Sequence, residues 1–161
     1  MNSPIYQLEN IFNLNTRLFT NTLAGVTEEQ SNKRISEHNN SIKWIATHTV
    51  WARYNVLMFL GKAATNPYIG LFEKFKPYDA ADKYPTLSGI KEEWQKVSDL
   101  LKDAMNTVTE EHLSLESPLK SPIGDSTNGG TIAFLAQHES YDIGQLGLLK
   151  KYFTKEAMAY S

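Results

Sequence analysis

Four segments of the chain repeat apolar residues every three or four positions, and this pattern limits the fold more than any other feature. Such spacing places the apolar side chains on one face of an α-helix. The segments predict helices near 4–24, 41–60, 87–107 and 131–153. No segment reads clearly as a β-strand, so we expect an all-α protein whose four helices form a four-helix bundle.

Residues that start and stop helices flank these segments. Pro4 suits a first helical turn and Gly25 a helix end, while Ser41 can cap the second helix before Gly61 ends it. The sequence at 27–30 has the form of a capping box and predicts a short helical turn. The connectors 61–85 and 114–129 are rich in proline and glycine and are predicted to be loops. A loop as long as the first one is often functional.

Length and composition narrow the class of protein. A chain of 161 residues is expected to be a single domain spanning 1–161. The net charge is -2, so the chain has no excess of basic residues that would favour binding to nucleic acid. No apolar stretch is long enough to span a membrane. The chain has no cysteine and no evident signal peptide, which favours a cytoplasmic location.

The fourth helix carries two polar residues on its apolar face. His138 and Asp142 lie one turn apart and are expected to point toward the bundle interior. Burying both is unfavourable unless hydrogen bonds or a cation satisfy them. His48 lies beside the apolar line of the second helix and is the candidate third member. Two imidazoles and one carboxylate form a ligand set that leaves coordination positions open for water or substrate.

Other interpretations of these residues exist. His48, His138 and Asp142 can instead form a metal-free, hydrogen-bonded cluster. The order His138, Glu139, Asp142 superficially resembles the H-E-x-x-H motif of zinc proteases, but Glu139 points about 100° away from His138 around the helix. Glu139 is better interpreted as a solvated or interhelical polar residue. His38 is predicted to be a surface histidine, and so is His112.

Three stretches of the sequence resemble the DinB-like superfamily. They are residues 40–48, which read NSIKWIATH, residues 84–87, which read YPTL, and residues 137–149, which read QHESYDIGQLGLL. The resemblance covers essentially the whole chain in order and spacing. It implies a DinB-like four-helix bundle, commonly a homodimer, with three histidines that bind nickel, zinc or a similar divalent ion. His48 and His138 match two of these ligands, and Asp142 replaces the third histidine.

The resemblance implies two possible functions. The first is a metal-dependent enzyme, either a hydrolase or a transferase of low-molecular-weight thiols, acting on a small-molecule substrate. Its ion would be nickel, zinc, iron or manganese, because aspartate also accepts the harder ions. The second is a non-catalytic, dimeric helical binding module whose metal site is degenerate. Because Asp142 replaces a histidine of the family's ligand set, this second interpretation stays open.

Overall fold

The long helices begin and end close to the predicted positions. The structure, a computed structural model, describes residues 3–161. Its helices are α1 (Tyr6–Leu23), α2 (Glu28–Asn32), α3 (Ile42–Phe59), α4 (Ile69–Phe72), α5 (Leu87–Thr107), α6 (Glu110–Ser114) and α7 (Asn128–Thr154). Within residues 3–161 there is no β-strand, only an isolated bridge between Glu116 and Thr127. The predicted all-α fold is therefore confirmed.

The four long helices form one bundle. α3 packs against α7 and α5, and α1 packs against the same two helices, so the order around the bundle is α1, α7, α3, α5. The apolar faces predicted from the sequence are the faces that meet in the core. Their fully or nearly fully buried members include Phe12, Phe19, Ile42, Ile45, Val56, Ile90, Trp94, Val97, Leu101 and Leu146. Packing of α3 against α7 brings His48 to the face that carries His138 and Asp142.

Polar side chains cap the starts of α2 and α3. The Ser41 hydroxyl accepts a hydrogen bond from the Trp44 N–H, as predicted. Thr27 and Gln30 form the predicted capping box at α2. These caps satisfy backbone N–H groups that have no partner within the helix.

The start of α7 lies three residues before the predicted position. The helix begins at Asn128 rather than Thr131, because the Thr127 hydroxyl accepts a hydrogen bond from the Gly130 N–H. Gly129 and Gly130 therefore lie in the first turn of the helix and not in a loop. A Cβ at position 130 would lie 2.4 Å from Cγ of Asp125, so close approach of the preceding turn explains this glycine.

The connector after α3 is more ordered than its composition indicates. It contains α4 and then a 3-10 turn over Glu73–Phe75. Lys74 and Phe75 both have left-handed backbone angles, with φ of 55° and 57°. No helix in the described part of the chain is long and apolar enough to cross a membrane.

Candidate metal centre

The three candidate ligands meet between α3 and α7. His48 lies in the middle of α3, and His138 and Asp142 lie one turn apart on α7. One potential ligand atom from each side chain lies within 4.8 Å of the others. Within residues 3–161, no other three His, Asp or Glu side chains come together in this way. The structure thus brings together the residues that the sequence pattern selected.

Hydrogen bonds hold Asp142 in place. Its Oδ2 lies 2.9 Å from Nδ1 of His48 and 3.4 Å from the Thr49 hydroxyl. Its Oδ1 accepts a longer bond of 3.4 Å from Nε2 of Gln145. Asp142 is 4% exposed, so these contacts replace the water that its carboxylate loses on burial.

His138 is less well satisfied. Its Nδ1 is buried and has no hydrogen-bond partner in residues 3–161. Burial lowers the pKa of His138 from its ordinary value, against the opposing attraction of Asp142, and so favours the neutral ring. A neutral imidazole is the form of histidine that binds metal ions. A buried nitrogen without a partner also destabilises the fold unless a ligand satisfies it.

Aromatic rings surround the two histidines. Trp44 stacks on His48 with 5.1 Å between ring centroids, and Phe72 of α4 meets the edge of the same imidazole at 5.2 Å. Phe134 lies 6.1 Å from the His138 ring, and the two imidazoles are 5.2 Å apart. Trp44 and Trp51 are half-buried and line an open pocket.

The pocket in front of the histidines has a volume of about 840 Å³. Its walls come from α3, from α7 and from two connectors, 72–78 and 118–122. This volume lies within the usual range of roughly 300–1,000 Å³ for small-molecule sites. A small molecule can therefore reach the two imidazoles directly.

The sequence-based interpretation missed a buried ion pair beside this site. Both oxygens of Glu139 accept hydrogen bonds from Arg53, at 2.7 Å and 2.6 Å. The guanidinium carbon lies 3.6 Å from the centre of the Trp94 ring. The pair explains why Glu139 is interhelical and is not available as a protease-like base. A sequence signal existed, because Glu139 lies at helical spacing from the buried Ala136 and Ile143.

The remaining histidines lie elsewhere. His38 is exposed, as predicted. His112 is half-buried, and its Nε2 lies 3.0 Å from the Phe59 carbonyl oxygen, so its prediction as a surface histidine was wrong.

The donor set has the chemistry that a divalent transition metal requires. Two imidazoles and a carboxylate are ligands for zinc, iron, nickel and manganese, and three protein ligands leave positions for water or substrate. The partnerless Nδ1 of His138 and the mutual approach of the three side chains both agree with such an ion. His48, His138 and Asp142 are thus the residues that could hold a metal.

The sequence model of the DinB superfamily matches residues 11–146, and the chain belongs to that superfamily. The crystal structure of a conserved protein from Enterococcus faecalis is similar in fold, with a TM-score of 0.74. That protein is 15% identical in sequence, and the similarity covers 97% of this chain and 100% of the other. None of the curated proteins compared with the chain matches it.

Proposed function

We propose that this DinB-superfamily chain binds one divalent transition metal through His48, His138 and Asp142, and that it is a metal-dependent enzyme for a small-molecule substrate. The observation that carries the proposal is the approach of three ligand atoms within 4.8 Å at the wall of an open pocket. Zinc, nickel, iron and manganese all match the donor set. The reaction is hydrolysis or the transfer of a low-molecular-weight thiol.

A bound divalent ion supplies a Lewis acid that lowers the pKa of an adjacent water or thiol. The chain has no cysteine, so in the transfer reaction the thiol comes from a separate molecule. The protein itself contributes position and environment. Asp142 lies against Nδ1 of His48, and Trp44, Phe72 and Phe134 pack around the two imidazoles.

The proposal is tested by the metal content and affinity of matched variants. Isothermal titration of the metal-free protein with Zn²⁺ or Ni²⁺ is expected to give about one ion per chain. His138→Ala and Asp142→Ala are each expected to weaken this binding by at least tenfold, because each removes one of three ligands. His38→Ala is the control, since this exposed histidine lies outside the cluster. Equal affinity in His38→Ala and His138→Ala would refute the proposed site.

A second candidate function is a metal-free binding module. The observation that favours it is the set of bonds that Asp142 already makes to His48, Thr49 and Gln145 without an ion. Absence of binding for Zn²⁺, Ni²⁺, Fe²⁺ and Mn²⁺ would exclude the metal site and favour this alternative. The homodimer and the single domain spanning 1–161 stay predictions, and sedimentation equilibrium with limited proteolysis tests both.

A further inference from the structure

We propose that the pocket in front of His48 and His138 binds an aromatic molecule that carries one anionic group. The aromatic part lies among Trp44, Trp51 and Phe134, and the anionic group lies at Lys120. Only the identification of this molecule as the substrate rests on the proposed function. Binding itself depends on the pocket walls and not on the metal.

The walls select a flat, apolar ligand. Trp44, Trp51, Phe72, Phe134 and Tyr78 all line the pocket, and three prolines and one leucine from the two connectors also belong to the lining. Aromatic rings stack favourably on other rings, in addition to the gain from burying apolar area. The volume of about 840 Å³ accommodates a ligand with two or three rings.

The charged residues in the pocket lining favour a ligand with an anionic group. Two lysines, Lys76 and Lys120, belong to the lining, and no aspartate or glutamate among residues 3–161 does. Lys76 is already paired with Asp82 at 2.5 Å. Lys120 is exposed and forms no ion pair with any described residue of the chain. Its ammonium group is therefore available for a ligand.

Aromatic walls alone would also accept an organic cation, because cations bind to the faces of aromatic rings. Sites of that kind gain selectivity from a carboxylate in their lining, and this pocket has none in its lining within residues 3–161. Asp142 lies behind the two histidines, where it is buried and already bonded to His48, Thr49 and Gln145. Lys120, which has no acidic partner among the described residues, repels a cation instead. The two possibilities thus predict opposite charge preferences.

The rim of the pocket has an unusual side chain that a ligand would cover. Phe75 lines the pocket but is 98% exposed. It follows Lys74, and both residues have left-handed backbone angles, which are unfavourable for residues with side chains. Such strain is typical of binding segments. An aromatic ligand gives Phe75 an apolar partner that the chain itself does not provide.

The test compares two fluorescent probes of the same ring skeleton in the full-length protein. Anilinonaphthalene sulfonate is anionic, and phenylnaphthylamine is its neutral counterpart. We expect one site per chain and at least tenfold tighter binding of the sulfonate, because charge-assisted hydrogen bonds are stronger than neutral ones. Lys120→Met should remove most of this difference, and Lys151→Met, which changes an exposed lysine of α7, should not. Phe134→Ala should weaken binding of both probes.

Several outcomes would overturn the inference. Equal affinity of the protein for the two probes would do so. An unchanged preference of Lys120→Met for the sulfonate would do so too, as would displacement of both probes by benzyltrimethylammonium. Binding at several sites, insensitive to Phe134→Ala, would show non-specific association instead.

Repeating the titrations after chelator treatment separates this inference from the proposed function. Probe binding that persists in metal-free protein supports the pocket assignment even if no metal site exists. A metal-loaded protein that binds neither probe refutes the pocket assignment alone.

Discussion

The buried pair of Arg53 and Glu139 offers the sharpest test of how α3 and α7 are held together. Arg53 is 1% exposed and Glu139 is 2% exposed. Besides the two bonds to Glu139, the guanidinium donates to the hydroxyls of Thr16 and Ser98 at 2.7 Å and to the Phe12 carbonyl at 3.2 Å. All five donors of the arginine are therefore used.

Arg53→Met should lower the free energy of unfolding by about 3–5 kcal/mol, because it leaves the Glu139 carboxylate buried without a partner. The two hydroxyls remain satisfied, since Thr16 donates to the Phe12 carbonyl at 2.8 Å and Ser98 to the Trp94 carbonyl at 2.6 Å. Replacing both partners, as in Arg53→Met with Glu139→Leu, thus removes the unpaired charge and orphans no donor. The double variant should be more stable than Arg53→Met by roughly 2 kcal/mol or more.

Urea unfolding followed by circular dichroism measures these differences. Lys96→Met is the control, because the Lys96–Glu93 pair is 3.4 Å long with a lysine that is 61% exposed. Exposed pairs of this kind contribute roughly 0–1 kcal/mol. Additive effects of Arg53→Met and Glu139→Leu, with no coupling between them, would refute this description of the pair.

Three further predictions concern single residues. Thr127→Ala should lower the free energy of unfolding by about 1 kcal/mol, because it removes the cap of α7, and a urea titration measures this. Burial raises the pKa of Glu28, but hydrogen bonds from Lys43 and the Leu87 N–H outweigh it and hold the pKa below its ordinary value of 4.5. The stability that Glu28 contributes is therefore present above pH 4.5 and is lost as the pH falls through the lower folded pKa, so Glu28→Gln should make unfolding less sensitive to acid. Asp142→His should tighten binding of nickel or zinc in calorimetry, and weaker binding in that variant would contradict the assigned ligand position.

Most of the bundle could be predicted from the sequence, because helices and their caps depend on residues close together in the chain. Apolar spacing located the four long helices, and Ser41 and the capping box marked two starts. The start of α7 was not predicted, because a pair of glycines is typical of a loop. The sequence does not show that position 130 lies so close to Asp125 that a larger residue would not fit. That contact depends on how the preceding turn folds back.

The candidate site was predictable in part for the same reason. His138 and Asp142 share a helix face by spacing alone, and His48 was selected because it lies beside the apolar line of the second helix. The Arg53–Glu139 pair and the aromatic pocket were not predicted. Their partners are far apart in sequence, since Arg53 and Glu139 are 86 positions apart. Only the packing of α3 on α7 brings them together.

The most direct test of the central claim is an anomalous-scattering map of a crystal of the protein grown with one equivalent of Ni²⁺ or Zn²⁺. The proposed metal site predicts one strong peak between α3 and α7. The peak should lie about 2 Å from a ring nitrogen of His48, a ring nitrogen of His138 and a carboxylate oxygen of Asp142. A peak at His38 or His112 alone, or none between these helices in protein that binds the ion in solution, would contradict the account.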